Sequence, residues 1–192
     1  MNVGDPGGRE IASQGPRAAT LAVPSRVAKP LHLLATYVAP PQRRTSTVGR
    51  LAIARLRIDA AVVPVGWDAD TMAVPNDPST LGWFEPSARL DDLAGTSLIA
   101  GHVSDASERP GALASLEKVR AGDVVEWRPR GGGVLRFRVV AIERFPRTDG
   151  LPTSLFRVDG PHMLRLVTCT KRVEGPGSAH YADNLVVSAV RV

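Results

Sequence analysis

The chain has 192 residues and a single cysteine, Cys169, so it has room for one domain with an extension and cannot form an internal disulfide. Its net charge of +5 is confined to residues 1–50, which hold seven of the 24 Lys and Arg but only two of the 19 Asp and Glu, so the remaining 17 basic and 17 acidic side chains balance. This distribution argues against a nucleic-acid-binding domain, and the absence of about 20 consecutive apolar residues predicts no membrane-spanning helix in the sequence as written.

Residues 1–49 are rich in Pro, Gly, Ala and Arg and show neither a strand nor a helix period, which predicts a disordered extension. From residue 50 onward, short apolar segments alternate with turn residues, a pattern typical of β-strands. These segments cover residues 51–58, 61–65, 96–100, 123–127, 134–143, 163–169 and 185–190. We therefore predict an all-β domain over residues 50–192, with seven or eight short strands in a closed barrel or a sandwich.

Two stretches between these segments carry signals of their own. The stretch RPRGGG, residues 128–133, precedes the alternating strand VLRFRVVAI, and its glycines favour a hairpin turn because glycine adopts positive φ without steric cost. The stretch GALASLEKV, residues 111–119, is the one segment that resembles a helix, since Leu113 and Leu116 lie three residues apart. The sequence therefore predicts one or two short helices beside the strands.

Cys169 ends the apolar segment LRLVTC. In a regular strand Leu164 and Leu166 face one side, whereas Arg165, Val167 and Cys169 face the other. Because an arginine is not expected in a core, Cys169 is predicted to lie on the groove or solvent side. The pattern leaves two interpretations open: a structural thiol, as most free cysteines are, or a reactive one.

A reactive thiol needs a proton acceptor, and histidine is the usual one. His102 ends the segment TSLIAGH after a glycine, so it is well placed to present its ring, although a structural role is the alternative. His180 is predicted in a loop after Cys169, where it either approaches the thiol or is solvated. His162 is predicted to be a turn residue, and His32 an exposed side chain of the extension.

Cysteine and histidine are also zinc ligands, but Cys169, His102 and His180 show neither C-x-x-C nor H-E-x-x-H spacing. No glycine-rich phosphate-binding loop precedes a helix. We therefore expect neither a metal nor a cofactor.

Taken in chain order, these segments resemble the sortase family, in particular the class E and F sortases of actinobacteria. The resemblance covers residues 54–190, essentially the whole patterned region. The matching stretches are ARLRIDAAVVPVGWDADTMAVPNDPSTLGWF, GTSLIAGHV, RPGALASLEKVRAGDVVEW, FRVVAIERFP, LRLVTCTKR and HYADNLVVSAV. The resemblance implies a sortase-like closed β-barrel of seven or eight strands with one or two short helices.

The resemblance also implies a cysteine transpeptidase. Cys169 matches the family's TC motif and would be the nucleophile, and His102 matches its GH motif and would be the general acid and base. The thiolate would attack a carbonyl within an LPXTG-like sorting signal of a secreted protein and pass the acyl group to an amine of peptidoglycan or a pilin. The alternatives are a thiol peptidase that releases the acyl group to water and a catalytically silent barrel that binds such a peptide. The family further implies work outside the cytoplasm, at the cell surface or membrane.

Most sortases carry an arginine at the start of the last strand, beside the thiol, where it binds the substrate or its oxyanion. Here that neighbourhood is YADNLVV, so Asn184 is the candidate, because a side-chain amide can donate to an oxyanion. Arg172, three residues past Cys169, is the competing candidate, with a solvated loop arginine as its alternative interpretation. The loop TCTKRVEGPGS also lacks the paired glycines typical of the class, which favours a different substrate groove.

Overall fold

The computed structural model describes residues 46–68, 71–174 and 180–192. The strands in these ranges are β1 Gly49–Ile53, β2 Ile58–Val65, β3 Trp67–Asp68, β4 Thr71–Met72, β5 Leu81–Phe84, β6 Thr96–Ala100, β7 Val124–Pro129, β8 Leu135–Pro146, β9 Met163–Val173 and β10 His180–Arg191. Short 3-10 turns lie at Ala54–Leu56, Leu116–Lys118, Arg147–Asp149 and Thr153–Leu155. Most of the predicted extension, residues 1–45, lies outside the described residues, so the boundary between extension and domain stays a prediction.

Eight of the strands close into a barrel in the order β1-β2-β5-β6-β9-β10-β8-β7. Neighbours are antiparallel except β2 with β5 and β6 with β9, which are parallel. Strands β3 and β4 pair only with each other, as a separate two-stranded sheet. The predicted all-β fold with a closed barrel is confirmed, and closure removes the unpaired strand edges that an open sheet would expose.

Alternation along the strands separates two apolar clusters. The main core contains residues of all eight barrel strands, Leu164 and Leu166 of β9 among them, and therefore fills the barrel interior. The second cluster contains Val167 of β9 and side chains from the connection between β8 and β9, such as Leu151. We call this second set, on the outer face of the barrel, the outer cluster.

Two segments differ in detail from their predictions, and a third agrees. Residues 51–58, predicted as one strand, contain the end of β1, a 3-10 turn and the start of β2, with Arg57 in the left-handed region at φ 54°. The turn carries no Gly or Pro, so the apolar pattern runs through it without a visible break. Strand β5 was not predicted because it is only four residues long. The glycine-rich connection after β7 does form the predicted hairpin to β8.

The predicted helix at residues 111–119 is wrong except for the 3-10 turn at Leu116–Lys118. Three backbone N–H groups of this segment pair outside it: those of Gly111 and Leu113 donate to the carbonyls of Val103 and His102, both at 3.0 Å, and that of Ala112 donates to the carbonyl of Pro78 at 2.7 Å. The later bonds within the segment, such as Leu116 to Leu113, run three residues back, so tight turns replace the α-helix. The bonds from Gly111 and Leu113 fix the backbone at His102 and Val103.

Candidate active site

Three predicted site residues, His102, Cys169 and Asn184, lie at one level of the barrel. Cys169 of β9 pairs directly with Asn184 of β10. On the other side of β9, Ala100 pairs with Val167, so His102, two residues beyond Ala100, is level with Cys169. Neighbouring strands are about 5 Å apart, so the three residues form a row across the outer face. We call this row of candidate catalytic residues the catalytic row.

The chain between β6 and His102 stays attached to β9. The N–H of Gly101 donates to the carbonyl of Val167 at 3.2 Å, and the Thr168 hydroxyl donates to the Gly101 carbonyl at 2.8 Å. A Cβ atom at position 101 would approach Leu81 Cδ2 to 2.5 Å, so any larger residue would force this leucine side chain to move. These contacts bring His102 to the level of the thiol.

The His102 ring is oriented by a backbone carbonyl. Its Nε2 atom lies 2.8 Å from the carbonyl oxygen of Pro75. A carbonyl oxygen only accepts, so Nε2 carries the N–H, and Nδ1 of the neutral ring is left as the proton acceptor. Asp77 lies close enough to His102 to interact with it electrostatically. The pKa of Asp77 is lowered mainly by a hydrogen bond from the Ser79 hydroxyl and to a smaller extent by a positive charge on His102.

Cys169 is partly exposed and shares the outward side of β9 with Val167. This placement confirms the predicted alternation and separates the thiol from the main core. Burial of the sulfur raises the pKa of the Cys169 thiol, and the positive charge of Arg147 acts in the opposite direction. The thiol is therefore protonated near neutral pH, and its use as a nucleophile requires a base that removes its proton.

Asn184 is fully buried, and neither its Nδ2 nor its Oδ1 atom has a hydrogen-bond partner among the described residues. Leaving a polar group buried without a partner costs about 1–3 kcal/mol, so such groups are rare. The unused amide lies on the strand position paired with Cys169. It is therefore chemically able to donate a hydrogen bond to an atom that reacts at the sulfur.

Arg172 lies in β9, three residues past Cys169, but its guanidinium is occupied by two carboxylates. Its Nε atom donates to Glu174 at 3.0 Å, and its Nη2 atom forms an ion pair with Glu108 in the loop after His102. The structure thus connects Arg172 to this loop and does not bring it into the catalytic row.

Two of the other histidines, His162 and His180, lie away from the row, and His32 lies outside the described residues. His162, in the connection before β9, is buried, and its Nε2 atom shares a hydrogen bond of 2.8 Å with the Ser97 hydroxyl. Burial lowers the pKa of His162. His180 is exposed at the start of β10, opposite Val173 and four residues along β9 from Cys169.

Arg147 is a residue of this site that the sequence did not indicate. It follows the last residue of β8, and its Nη1 atom donates to the carbonyl of Tyr181 in β10 at 3.1 Å. Its position beside the thiol depends on the pairing of β8 with β10, which no local motif reveals. In the sequence, Arg147 lies four residues past the predicted strand segment 134–143, with nothing to distinguish it from Arg144.

Three further features of the described residues bear on function. Within residues 46–68, 71–174 and 180–192, no three His, Cys, Asp or Glu side chains come together as a metal site. No helix in the same ranges is long and apolar enough to cross a membrane. A cavity of about 60 Å³, bounded by Trp83, Trp127 and the Arg89–Asp91 segment, contains no residue of the catalytic row.

Comparison with known proteins gives consistent matches. A family model described as Sortase domain matches residues 51–192. The lid mutant of sortase A from Corynebacterium diphtheriae is 23% identical, with a TM-score of 0.61 over 80% of this chain and 74% of that chain. Sortase C2 of Group B Streptococcus pilus island 1 is 20% identical, with a TM-score of 0.58 over 76% and 74%. Sortase C-3 from Streptococcus pneumoniae is 19% identical, with a TM-score of 0.61 over 85% and 74%.

The comparison with curated protein sequences found no match. The solved structures, at this level of identity, share the barrel fold with the chain. The family model is broader evidence, because it spans well over half of the sequence and includes the whole catalytic row. The chain therefore belongs to the sortase family, cysteine transpeptidases that act at the cell surface on proteins bearing sorting signals.

Proposed function

We propose that this sortase cleaves an LPXTG-like sorting signal through a thioacyl-enzyme on Cys169 and transfers the acyl group to an amine of the cell wall or of a pilin. The observation that carries the proposal is the catalytic row: a thiol on the outer face, a histidine level with it on one side and an unpartnered amide on the other. We assign residues 50–192 to the catalytic domain and the sortase to class E/F.

In the first half of the reaction, Nδ1 of His102 accepts the Cys169 proton while Nε2 stays bonded to the Pro75 carbonyl. The sulfur attacks the scissile carbonyl carbon, and the oxygen gains the negative charge. The C–N bond then breaks as His102 returns the proton to the departing amine nitrogen. The products are a thioester on Cys169 and the released C-terminal fragment of the signal.

In the second half, an incoming amine attacks the thioester carbon and gives a proton to His102. The C–S bond breaks, an amide forms, and the proton returns to the Cys169 sulfur. Each half thus leaves His102 and Cys169 in their starting protonation states. The raised pKa of the thiol supports this scheme, because a thiol that is neutral at rest needs the histidine in both halves.

An exposed aromatic side chain borders the outer cluster. The Trp67 indole is 52% exposed and meets the ring of Phe84, a member of the cluster, edge to face, with centroids 4.8 Å apart. The cluster members beside the row, Val167 and Val186, are themselves buried. We propose that an apolar residue of the signal packs on the Trp67 ring.

The proposed partners are secreted proteins with a C-terminal sorting signal and an acceptor that presents a primary amine, on peptidoglycan or on a pilin. Both are found outside the cytoplasm, so we propose that the enzyme works there, close to the membrane. The proposal involves no nucleic acid and no cofactor.

Product analysis tests the proposed transfer. The protein is incubated with a panel of LPXTG-like peptides, with and without a glycine-initiated peptide or hydroxylamine as amine, and the products are identified by mass spectrometry. An amide formed only when amine is present is the expected result. A free acid formed at the same rate with and without amine would instead identify a thiol peptidase, and intact peptides throughout would favour a silent binding barrel.

We also propose that Asn184 donates to the oxyanion, and expect Asn184→Ala to lower kcat/KM on the order of 100-fold or more. Arg172→Ala is expected to have a much smaller effect, because Glu108 and Glu174 already hold that guanidinium. Steady-state kinetics with a fluorogenic peptide measures both.

The matched control for Asn184 is Ser188→Ala. Ser188 lies on the same strand, is also buried, and also lacks a hydrogen-bond partner among the described residues. Ser188 lies four residues along β10 from Asn184, the residue that pairs with Cys169, so Ser188→Ala should convert the peptide at the native rate. Near-native rates in both Asn184→Ala and Arg172→Ala would reject both residues as oxyanion donors.

A further inference from the structure

The proposed reaction creates negative charge twice, on the Cys169 sulfur and then on the carbonyl oxygen, yet the catalytic row contains no fixed positive charge. Asn184 is neutral, and the start of β10 reads HYADN. We propose that Arg147, from the turn after β8, supplies this charge: it stabilises the Cys169 thiolate and binds the substrate oxygen on which the negative charge develops. This assignment rests on the proposed function.

Strand pairing brings Arg147 to the row. Phe145 of β8 pairs with Asn184, and Pro146 pairs with Asp183, so Arg147, the first residue of the 3-10 turn that follows, leaves β8 beside this part of β10. Its guanidinium reaches β10 at the Tyr181 carbonyl, three residues before Asn184.

The guanidinium is also fixed in place. Arg147 Nη1 donates to the Tyr181 carbonyl at 3.1 Å, and the side chain is half-buried. The Tyr181 hydroxyl shares a hydrogen bond of 3.0 Å with the Ser104 hydroxyl, two residues after His102. Tyr181 of β10 therefore contacts both Arg147 and the loop that follows His102. These contacts position the guanidinium and the loop relative to β10.

Two positively charged side chains of β9 near the thiol lie beside carboxylates. Lys171 lies 3.7 Å from the Asp183 carboxylate, and Arg172 pairs with Glu108 and Glu174. The charge that acts on the Cys169 pKa, against the effect of burial, is that of Arg147. An arginine is suited to both tasks because it is always protonated and its N–H groups can bind an oxygen while its charge stabilises a nearby anion.

The test compares Arg147→Gln and Arg147→Lys with wild type in two assays. The first is the rate of iodoacetamide alkylation of Cys169 in the free protein from pH 6 to 11, which needs no substrate. The pH at which this rate is half-maximal is the alkylation midpoint. Loss of the charge in Arg147→Gln should raise the midpoint by about one pH unit, whereas Arg147→Lys should keep it close to the wild-type value. The second is kcat/KM for the fluorogenic peptide, which should fall on the order of 100-fold in Arg147→Gln.

The matched control is Arg138→Ala. Arg138 is an exposed arginine of β8, the strand that ends just before Arg147, and it lies far from the row, so both assays should be unchanged. Thermal unfolding of each variant reports folding, and a purely structural role would lower stability without moving the alkylation midpoint. An unmoved midpoint in folded Arg147→Gln overturns the inference whether or not a substrate is known. If the alkylation midpoint moves but the wild-type protein turns over none of the peptides, the result contradicts the proposed function and leaves the effect of Arg147 on the thiol in place.

Discussion

Replacing Cys169 with alanine is expected to abolish acyl transfer, with a loss of kcat/KM on the order of 10⁴-fold or more. The sulfur is the atom that bonds to the substrate carbonyl carbon, and no other cysteine exists in the chain to replace it. The fold should survive, because Cys169 is partly exposed and outside the main core, so the change in the free energy of unfolding should stay within about 1 kcal/mol. Fluorogenic-peptide kinetics and thermal unfolding measure the two effects.

The matched control is Lys171→Ala, two residues along the same strand. Lys171 is exposed and forms only a long ion pair with Asp183, so its variant should keep near-native turnover. If Cys169→Ala retained more than a small fraction of the activity, another nucleophile would have to be sought.

Replacing His102 with alanine is expected to reduce kcat on the order of 10³-fold or more, because one imidazole serves as base and as acid in both halves of the proposed reaction. The cost in stability should be small. The ring is half-buried and makes one hydrogen bond, to the Pro75 carbonyl, which is worth about 1 kcal/mol. Steady-state kinetics and circular dichroism measure both, and free imidazole added to the variant should restore part of the rate.

Two further variants separate chemistry from structure at this position. His102→Gln keeps a side-chain N–H for the Pro75 carbonyl but cannot transfer a proton, so it should be as inactive as His102→Ala. His180→Ala removes an exposed histidine at the start of β10, four residues from Asn184, and should be fully active. A large drop in melting temperature in His102→Ala, with native rates in His102→Gln, would assign His102 a structural role.

The sequence predicted the strands best where one face of a strand is apolar and the other polar. The alternation of Leu164 and Leu166 with Arg165 indicated which side of β9 carries Cys169, and the outer cluster confirms it. The prediction failed at residues 111–119, because leucines three residues apart also suit consecutive tight turns whose hydrogen bonds run three residues back, such as Leu116 to Leu113. Periodicity reports which side chains are buried, but not where the backbone hydrogen bonds go.

The candidate site was predictable only in part for a related reason. His102 and Cys169 each end an apolar segment of the sequence, which suggested side chains presented at strand ends. Strand β9 in fact continues four residues past Cys169, to Val173. The proximity of Arg147 to the thiol arises from the register between β8 and β10, which lie 34 or more residues apart in sequence at this point. The occupation of Arg172 by Glu108, from a separate loop, likewise depends on the fold and has no local signal.

The most direct test of the proposed function is the intact mass of the protein after brief incubation with LPXTG-like peptides in the absence of amine. We predict a mass increase equal to the acyl part of the peptide, located on Cys169 by digestion, removed by hydroxylamine and absent from Cys169→Ala. An unchanged mass across a broad peptide panel, or an adduct that persists in Cys169→Ala, would contradict thioacyl catalysis at Cys169.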